Sequence, residues 1–271
     1  MKFISFASSS KGNSALISYK NTNILVDCGI SMKRLTEYLD RYGLKVDDID
    51  CILITHAHFD HISGITTLLK YHDVKILGLK ETLSYIAYSL DKNGIKPDLD
   101  NFKIIKSINP LNEGSQIIIK DIKVYPLKGC HDVPSLYYKF ELGDVKLAIL
   151  TDMGTYNEAV IRNLSDVHYL MLECNYDGTK LLESDRSEEL KARIAGFGGH
   201  LSNEDCCEIL SKIKDGNLKE VYLAHISDET NSEEYAYEYV VNYFKRNSDI
   251  EFIDKIFVAK RLEPTVILND G

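Results

Sequence analysis

The hexapeptide His56-Ala57-His58-Phe59-Asp60-His61 constrains this 271-residue chain more than any other stretch. It follows the aliphatic run Cys51 to Thr55 and precedes Ile62, Ile65, Leu68 and Leu69, which fall at helical spacing. This pattern predicts a buried strand over 51–55, a loop, and a helix over 61–71. Residues two apart in an extended segment point the same way, so His56 and His58 can grip one ion together. Asp60 and His61 come after the chain turns and can face a second ion beside the first. A set of idle surface histidines would not need an aliphatic strand on one side and an apolar helix on the other.

Short β-like runs dominate the rest of the chain, with a few helices between them. Residues 3–7, 15–19 and 23–27 read as an opening meander, with Lys11-Gly12-Asn13 and Lys20-Asn21 as turns. A helix is expected over 32–42, stopped by Gly43. A strand over 74–77 and a helix over 81–90 follow. A second β-rich block covers 116–119, 122–127, 137–142 and 146–151, with hairpin doublets Lys120-Asp121 and Gly143-Asp144. Later come strands at 169–173 and 220–224 and helices near 187–195, 203–214 and 232–245. Two β-rich halves, each followed by helices, predict an α/β fold. Its architecture is expected to be a four-layer α/β/β/α sandwich forming one domain over residues 1–271.

The remaining histidines and acids can be tested for strand ends, where open α/β sheets gather their sites. His131 follows the strand at 122–127, His225 follows the strand at 220–224, and Asp152 follows the strand at 146–151. With the hexapeptide they complete two coordination spheres. His56, His58 and His131 form one, and Asp60, His61 and His225 the other, with Asp152 placed to bridge them. Mixed imidazole and carboxylate ligands suit two divalent ions, Zn²⁺ or Mn²⁺, with Fe a further candidate. His72 and His168 have no such context. The six cysteines include no CxxC pair, so a zinc ribbon is excluded, and they read as reduced thiols in the core.

The hexapeptide, with Val26-Asp27-Cys28-Gly29 before it, Thr151-Asp152-Met153-Gly154 after it and a late Ala224-His225-Ile226-Ser227, resembles the metallo-β-lactamase superfamily. The resemblance runs from Phe3 to about Phe244. Within the superfamily, the stretches at 7–14, 172–177 and 199–205 resemble the YycJ/WalJ group of cytoplasmic nucleases. That resemblance implies a metal-dependent 5′-to-3′ exonuclease acting on DNA, with DNA-repair proteins as candidate partners. It implies that Asp27 braces the hexapeptide loop and that His200 serves the substrate or the leaving oxygen without binding metal. Ser202 and Asn203 open a helix beside His200, where backbone N–H groups could also meet a phosphate. Ser9, Ser10 and Asn13 are expected at the mouth, and Glu173 and Asn175 behind the ligands. The RNA-processing branch with a helical β-CASP insertion is not matched, since no extra block fits between residues 154 and 199.

The same ligands also serve hydrolysis of a small thioester, lactone or cyclic phosphodiester, which stands as the alternative. A β-lactamase proper is disfavoured because Asp152, not Cys, holds the bridging position. A diiron redox enzyme is disfavoured because His58 stands where that branch carries Glu. In the nuclease reading, Asp60 orients the attacking water and His200 gives the leaving oxygen its proton. The net charge of −9 argues against a protein that coats nucleic acid, so the cations and residues such as Lys11, Lys128 and Arg193 would have to attract the phosphates. Residues 3–7 are too short for a signal-peptide core and no run reaches the roughly 20 apolar residues of a membrane span. A cytoplasmic, membrane-free protein is expected.

Overall fold

Alternation along short strands decides which face each side chain joins. In the computed structural model, which describes residues 1–96, 98–105 and 116–270, the first half runs β1 (Lys2–Ser9), β2 (Gly12–Tyr19), β3 (Thr22–Val26), α1 (Met32–Arg41), β4 (Cys51–Leu53), α2 (Phe59–Ile62), α3 (Ile65–Tyr71), β5 (Lys75–Gly78), α4 (Lys80–Lys92) and β6 (Phe102–Ile104). The second half runs β7 (Ile117–Ile119), β8 (Ile122–Lys128), β9 (Leu136–Leu142), β10 (Val145–Leu150), α5 (Glu158–Leu164), β11 (Tyr169–Glu173), α6 (Gly178–Glu183), α7 (Glu188–Ile194), α8 (Asn203–Ile213), β12 (Glu220–Ala224), α9 (Glu233–Arg246), α10 (Ile250–Ile253), β13 (Ile256–Val258) and β14 (Thr265–Asn269).

Two seven-stranded sheets result, ordered β14-β1-β2-β3-β4-β5-β6 and β13-β12-β11-β10-β9-β8-β7. The two have the same plan. In each, an antiparallel meander passes into parallel strands, with β3 beside β4 in the first sheet and β10 beside β11 in the second. β14 returns from the end of the chain to pair with β1, across the break between the halves.

Period-two alternation divides the apolar residues among three cores. Phe3, Ile17, Ile24, Phe140, Leu147, Ile149 and Met171 meet between the sheets. Ile4, Phe6, Leu16 and Leu25 face the other way, onto α1, α3 and α4. Ala148, Leu150, Leu170 and Leu172 face α5, α8 and α9 on the far side. The layers are therefore α/β/β/α, as expected.

The differences are local. The helix expected over 61–71 is two helices, broken at Ser63–Gly64. The loop after β3 lies against the break: Cys28 N–H donates to the His61 carbonyl at 2.8 Å, and Gly64 N–H donates to the Cys28 carbonyl at 2.8 Å. These tertiary bonds outweigh helical continuity. The edge strands β6, β13 and β14 and the helices α5, α6 and α10 were not expected. They are short and carry too few residues for a periodic signal. All six cysteines are free, and five are buried. Among the described residues, no helix is long and apolar enough to cross a membrane.

Candidate metal centre

The site forms along one edge, past the carboxyl ends of β3, β4, β10, β11 and β12, where an α/β sheet leaves its loops free to converge. The seven expected ligands come together there. His56 Nε2 lies 3.0 Å from His58 Nδ1, and His131 Nε2 lies 3.2 Å from the same atom. Three ring nitrogens thus share one point. Asp60 Oδ2 lies 3.5 Å from His61 Nε2 and 3.7 Å from His225 Nε2. Asp152 stands between these sets, with Oδ2 3.1 Å from His61 Nε2 and Oδ1 3.6 Å from His225 Nε2 and 4.0 Å from His131 Nε2.

Buried polar atoms without partners are costly, so they indicate what a site is built to hold. Asp152 Oδ2 and His225 Nε2 are both buried and make no well-aligned hydrogen bond, although His61 Nε2 lies 3.1 Å from the first. Both face this cluster. Two divalent cations fit the donor set: imidazole nitrogens and carboxylate oxygens converge on two adjacent points, and the orphaned atoms need a cation to offset their desolvation.

The rest of the shell orients the rings. Asp27 is buried and accepts from Thr55 N–H at 2.8 Å, from Thr55 Oγ1 at 2.8 Å and from His61 Nδ1 at 2.7 Å. These bonds tie His61 to the chain just past the end of β4 and fix the orientation of its ring. Glu173 is fully buried. Its Oε1 accepts from His200 Nδ1 at 2.8 Å and from His225 Nδ1 at 2.9 Å, while Oε2 accepts from the backbone N–H groups of Met153 and Leu201. Asn175 donates to the His225 carbonyl at 2.6 Å, and the His225 N–H donates to Ser8 Oγ at 2.9 Å, tying the two sheets together. His131 Nδ1 donates to the Gly199 carbonyl at 3.0 Å.

Two residues at the site went unrecognised in the sequence. Asp132 contacts His58 Nε2 through Oδ1 at 3.1 Å and accepts from Arg193 through Oδ2. Its one sequence signal is adjacency to His131. Arg186, paired with Glu229 at 3.0 Å, lines the cavity of about 290 Å³ above the ligands, together with Ser10, Phe59, Arg193 and His200.

Electrostatics divide the cluster. Burial pushes His56 well below the ordinary histidine range and also lowers His58. Burial opposes charge on His225 as well, yet Asp152, Asp60 and Glu173 outweigh it and raise its pKa to about 10. His61 is likewise held well above the usual range, because Asp27 and Asp152 overcome its burial. Burial would raise Asp152, but His225 and His61 hold it well below the usual carboxylate range. His200 is raised by Glu173 despite its own desolvation, so a proton is stabilised on its ring.

Four expectations need correction. Asn13 is buried rather than at the mouth. It donates to Asp60 Oδ2 at 3.0 Å and to the Ser9 carbonyl at 2.9 Å, so it steers Asp60. Ser9 is buried too. Ser202 is spent on its own helix: it forms a capping box with Asp205, which occupies the N–H groups once assigned to a phosphate. Asn203 is 1% exposed, with Oδ1 accepting from Asn231 Nδ2 at 2.8 Å and Cys174 Sγ at 3.0 Å, so its side chain is buried away from a substrate. The two excluded histidines lie elsewhere: His72 pairs with Asp47 at 2.6 Å, and His168 accepts from Lys146 N–H at 2.9 Å.

A family model described as the metallo-beta-lactamase superfamily matches residues 10–225. The chain is 31% identical over 242 residues to exodeoxyribonuclease WalJ of Streptococcus pneumoniae, covering 89% of this chain and 87% of that protein. It is 28% identical over 237 residues to exodeoxyribonuclease YycJ of Bacillus anthracis, covering 87% and 86%. Among solved structures, the metallo-beta-lactamase fold protein YhfI from Bacillus subtilis superposes with a TM-score of 0.66 at 15% identity, over 98% of this chain and all of that one. Yeast PDE1 superposes with a TM-score of 0.70 at 16% identity, over 99% of this chain and all of that one. At those identities the structural likeness bears on the fold alone.

Proposed function

This chain is a metal-dependent hydrolase of the metallo-β-lactamase superfamily, and on that premise we propose that it is a 5′-to-3′ DNA exonuclease working with two divalent ions, Zn²⁺ or Mn²⁺. The relatives named exodeoxyribonuclease, matched over most of both chains, support DNA as the substrate. The observation that carries the reading is His200. It lines the cavity above the ligands, and although it falls with Asp152, Glu173 and His225 in a group that could hold an ion, its Nδ1 is spent on Glu173 at 2.8 Å.

Divalent ions held by His56, His58, His131, Asp60, His61, His225 and Asp152 would acidify water and neutralise charge on phosphoryl oxygens. The chain's own groups supply the rest. Asp60 is fixed by Asn13 and can orient an attacking water through its free carboxylate edge. Arg186 and Arg193 on the cavity wall, paired with Glu229 and Asp132, can turn their remaining N–H groups to phosphate oxygens. His200 can pass its Nε2 proton to the departing oxygen while Glu173 holds Nδ1. A cytoplasmic setting and contacts with DNA-repair proteins belong to the same reading.

The test is degradation of DNA labelled at either end by protein loaded with Zn²⁺ or Mn²⁺. Early release of a 5′ label as mononucleotide supports the proposal. Release from the 3′ end overturns the polarity. Inert DNA alongside rapid hydrolysis of a small thioester, lactone or cyclic phosphodiester would favour the alternative substrate class.

A further inference from the structure

A second cavity, of about 710 Å³, lies next to the ligand set. His131 and Asp132 line it. The same two residues touch His58 inside the ligand set, at 3.2 Å and 3.1 Å. A strand with one phosphate at the ligands is therefore within reach of this cavity. The volume lies within the usual range for small-molecule sites, roughly 300–1,000 Å³.

Its lining is mixed in a particular way. Met153, Val160 and Phe197 give apolar surface, and Lys128 stands exposed at the rim. Ser135 is 5% exposed, and its hydroxyl has no hydrogen-bond partner. An orphaned buried hydroxyl beside apolar walls calls for a ligand with flat apolar faces and a polar edge. A nucleobase has that shape.

Phe197 supplies a face to stack on. Its ring is 79% exposed, an unusual position for a large apolar side chain. Its backbone is held from two sides. The Phe197 carbonyl accepts from Cys130 Sγ at 3.3 Å, and a Cβ at Gly154 would come within 2.4 Å of that carbonyl. Gly154 thus lets the 151–154 loop close against the 196–199 turn. A ring on a clamped backbone can meet a base without ordering a loop first.

We propose that this cavity is a nucleobase subsite, in which the base next to the scissile phosphate stacks on Phe197 with its polar edge toward Ser135. The proposal rests on the DNA-exonuclease reading and adds where the substrate strand runs. Stacking on Phe197 needs an unpaired base, so single-stranded or frayed ends are the preferred substrates. Every base offers a π face, so stacking alone does not select among bases, and any preference comes from the polar edge at Ser135.

The experiment walks a tetrahydrofuran abasic residue through the first three positions of a 5′-labelled single strand. Stacking of one base is worth roughly 5- to 150-fold. One position should lower kcat/KM of the wild-type protein by about that factor, mainly through KM. Phe197→Ala should lower kcat/KM on intact DNA by a similar factor and abolish the abasic penalty at that position. Ser135→Ala should keep the stacking penalty but alter preference among bases. Metal content and circular dichroism of both variants check that the fold survives. Digestion of intact DNA with no abasic penalty at any position overturns the subsite and leaves the nuclease reading standing. Failure to digest any DNA end overturns the nuclease reading, and the subsite with it.

Discussion

Asp27 and Asp152 hold opposite nitrogens of the same imidazole: Asp27 Oδ2 meets His61 Nδ1 at 2.7 Å, and Asp152 Oδ2 meets His61 Nε2 at 3.1 Å. They are also counterparts in the topology. Each lies just past the last meander strand of its sheet, β3 or β10, before the chain enters a parallel neighbour. Both have left-handed backbone, with φ of 58° and 57°, and His225 after β12 shares it at 51°. A non-glycine residue in that region is strained, and Asp tolerates it better than most because its short polar side chain can bond locally. The turn that aims each carboxylate back across its strand end is thus the one that fixes its place in the site.

Neutral substitution should separate the two roles. Asn accepts the same backbone, so Asp27→Asn and Asp152→Asn remove charge without adding strain. Asp27→Asn should weaken metal binding by about 10–100-fold, the usual cost of losing an orienting carboxylate. Asp152→Asn should cost more, because that carboxylate faces both ligand sets, and the protein should retain fewer ions after dialysis. Metal analysis against a chelator series measures both. Equal losses would contradict this division.

Asp132 should act on one set alone. Its Oδ1 meets His58 Nε2 at 3.1 Å and His131 Nε2 at 3.3 Å, both in one set, so Asp132→Asn loosens those rings while His61 and His225 keep their own braces. Titration with Zn²⁺ should show one equivalent weakened by about 10–100-fold and the other unchanged. Weakening of both equivalents would mean that Asp132 supports the whole loop rather than one set.

The candidate ligands were legible in the sequence because His56, His131, Asp152 and His225 follow strands, whose ends follow from period-two patterning, and His58, Asp60 and His61 share the hexapeptide with His56, the last two within α2. The four layers were legible for a similar reason, since Phe3 against Ile4 and Leu147 against Ala148 alternate between cores. What escaped depends on tertiary approach. Asp132 reaches His58 only because two loops from different sheets meet, and no local pattern records that. Ser202 and Asn203 were misread for another reason. A polar helix start that caps itself and one that holds a phosphate use the same residue types, and only the bonds of Asp205 and Asn231 distinguish them.

His200 should prove separable from metal binding. His200→Ala is expected to retain both ions and the fold while kcat on DNA falls by about 10²–10⁴, the range for general acid catalysis. The loss should shrink on a p-nitrophenyl phosphodiester, whose leaving group needs no proton. Equal losses on both substrates would assign His200 to phosphate binding instead. Loss of an ion would make it a ligand and break the coordination scheme.

The two ligand sets should also load differently with pH. Metal binding requires neutral imidazole, so a protonated ligand must first lose its proton. His56 and His58 sit below the ordinary value of 6.5 and are uncharged at pH 7 in the metal-free protein. His225 sits at about 10 and His61 well above 6.5, so both are charged there. The set of His56, His58 and His131 should therefore fill first, with little proton release. The set of Asp60, His61 and His225 should fill second and release about two protons, one from each ring. Its apparent affinity should rise with pH until the pH passes about 10, where His225 is already neutral. Calorimetric titration of metal-free protein with Zn²⁺ in buffers of different ionisation enthalpy reads the protons at each step. If both equivalents release the same number and strengthen in parallel with pH, the carboxylates around His61 and His225 do not hold those protons, and the electrostatic division of the cluster fails.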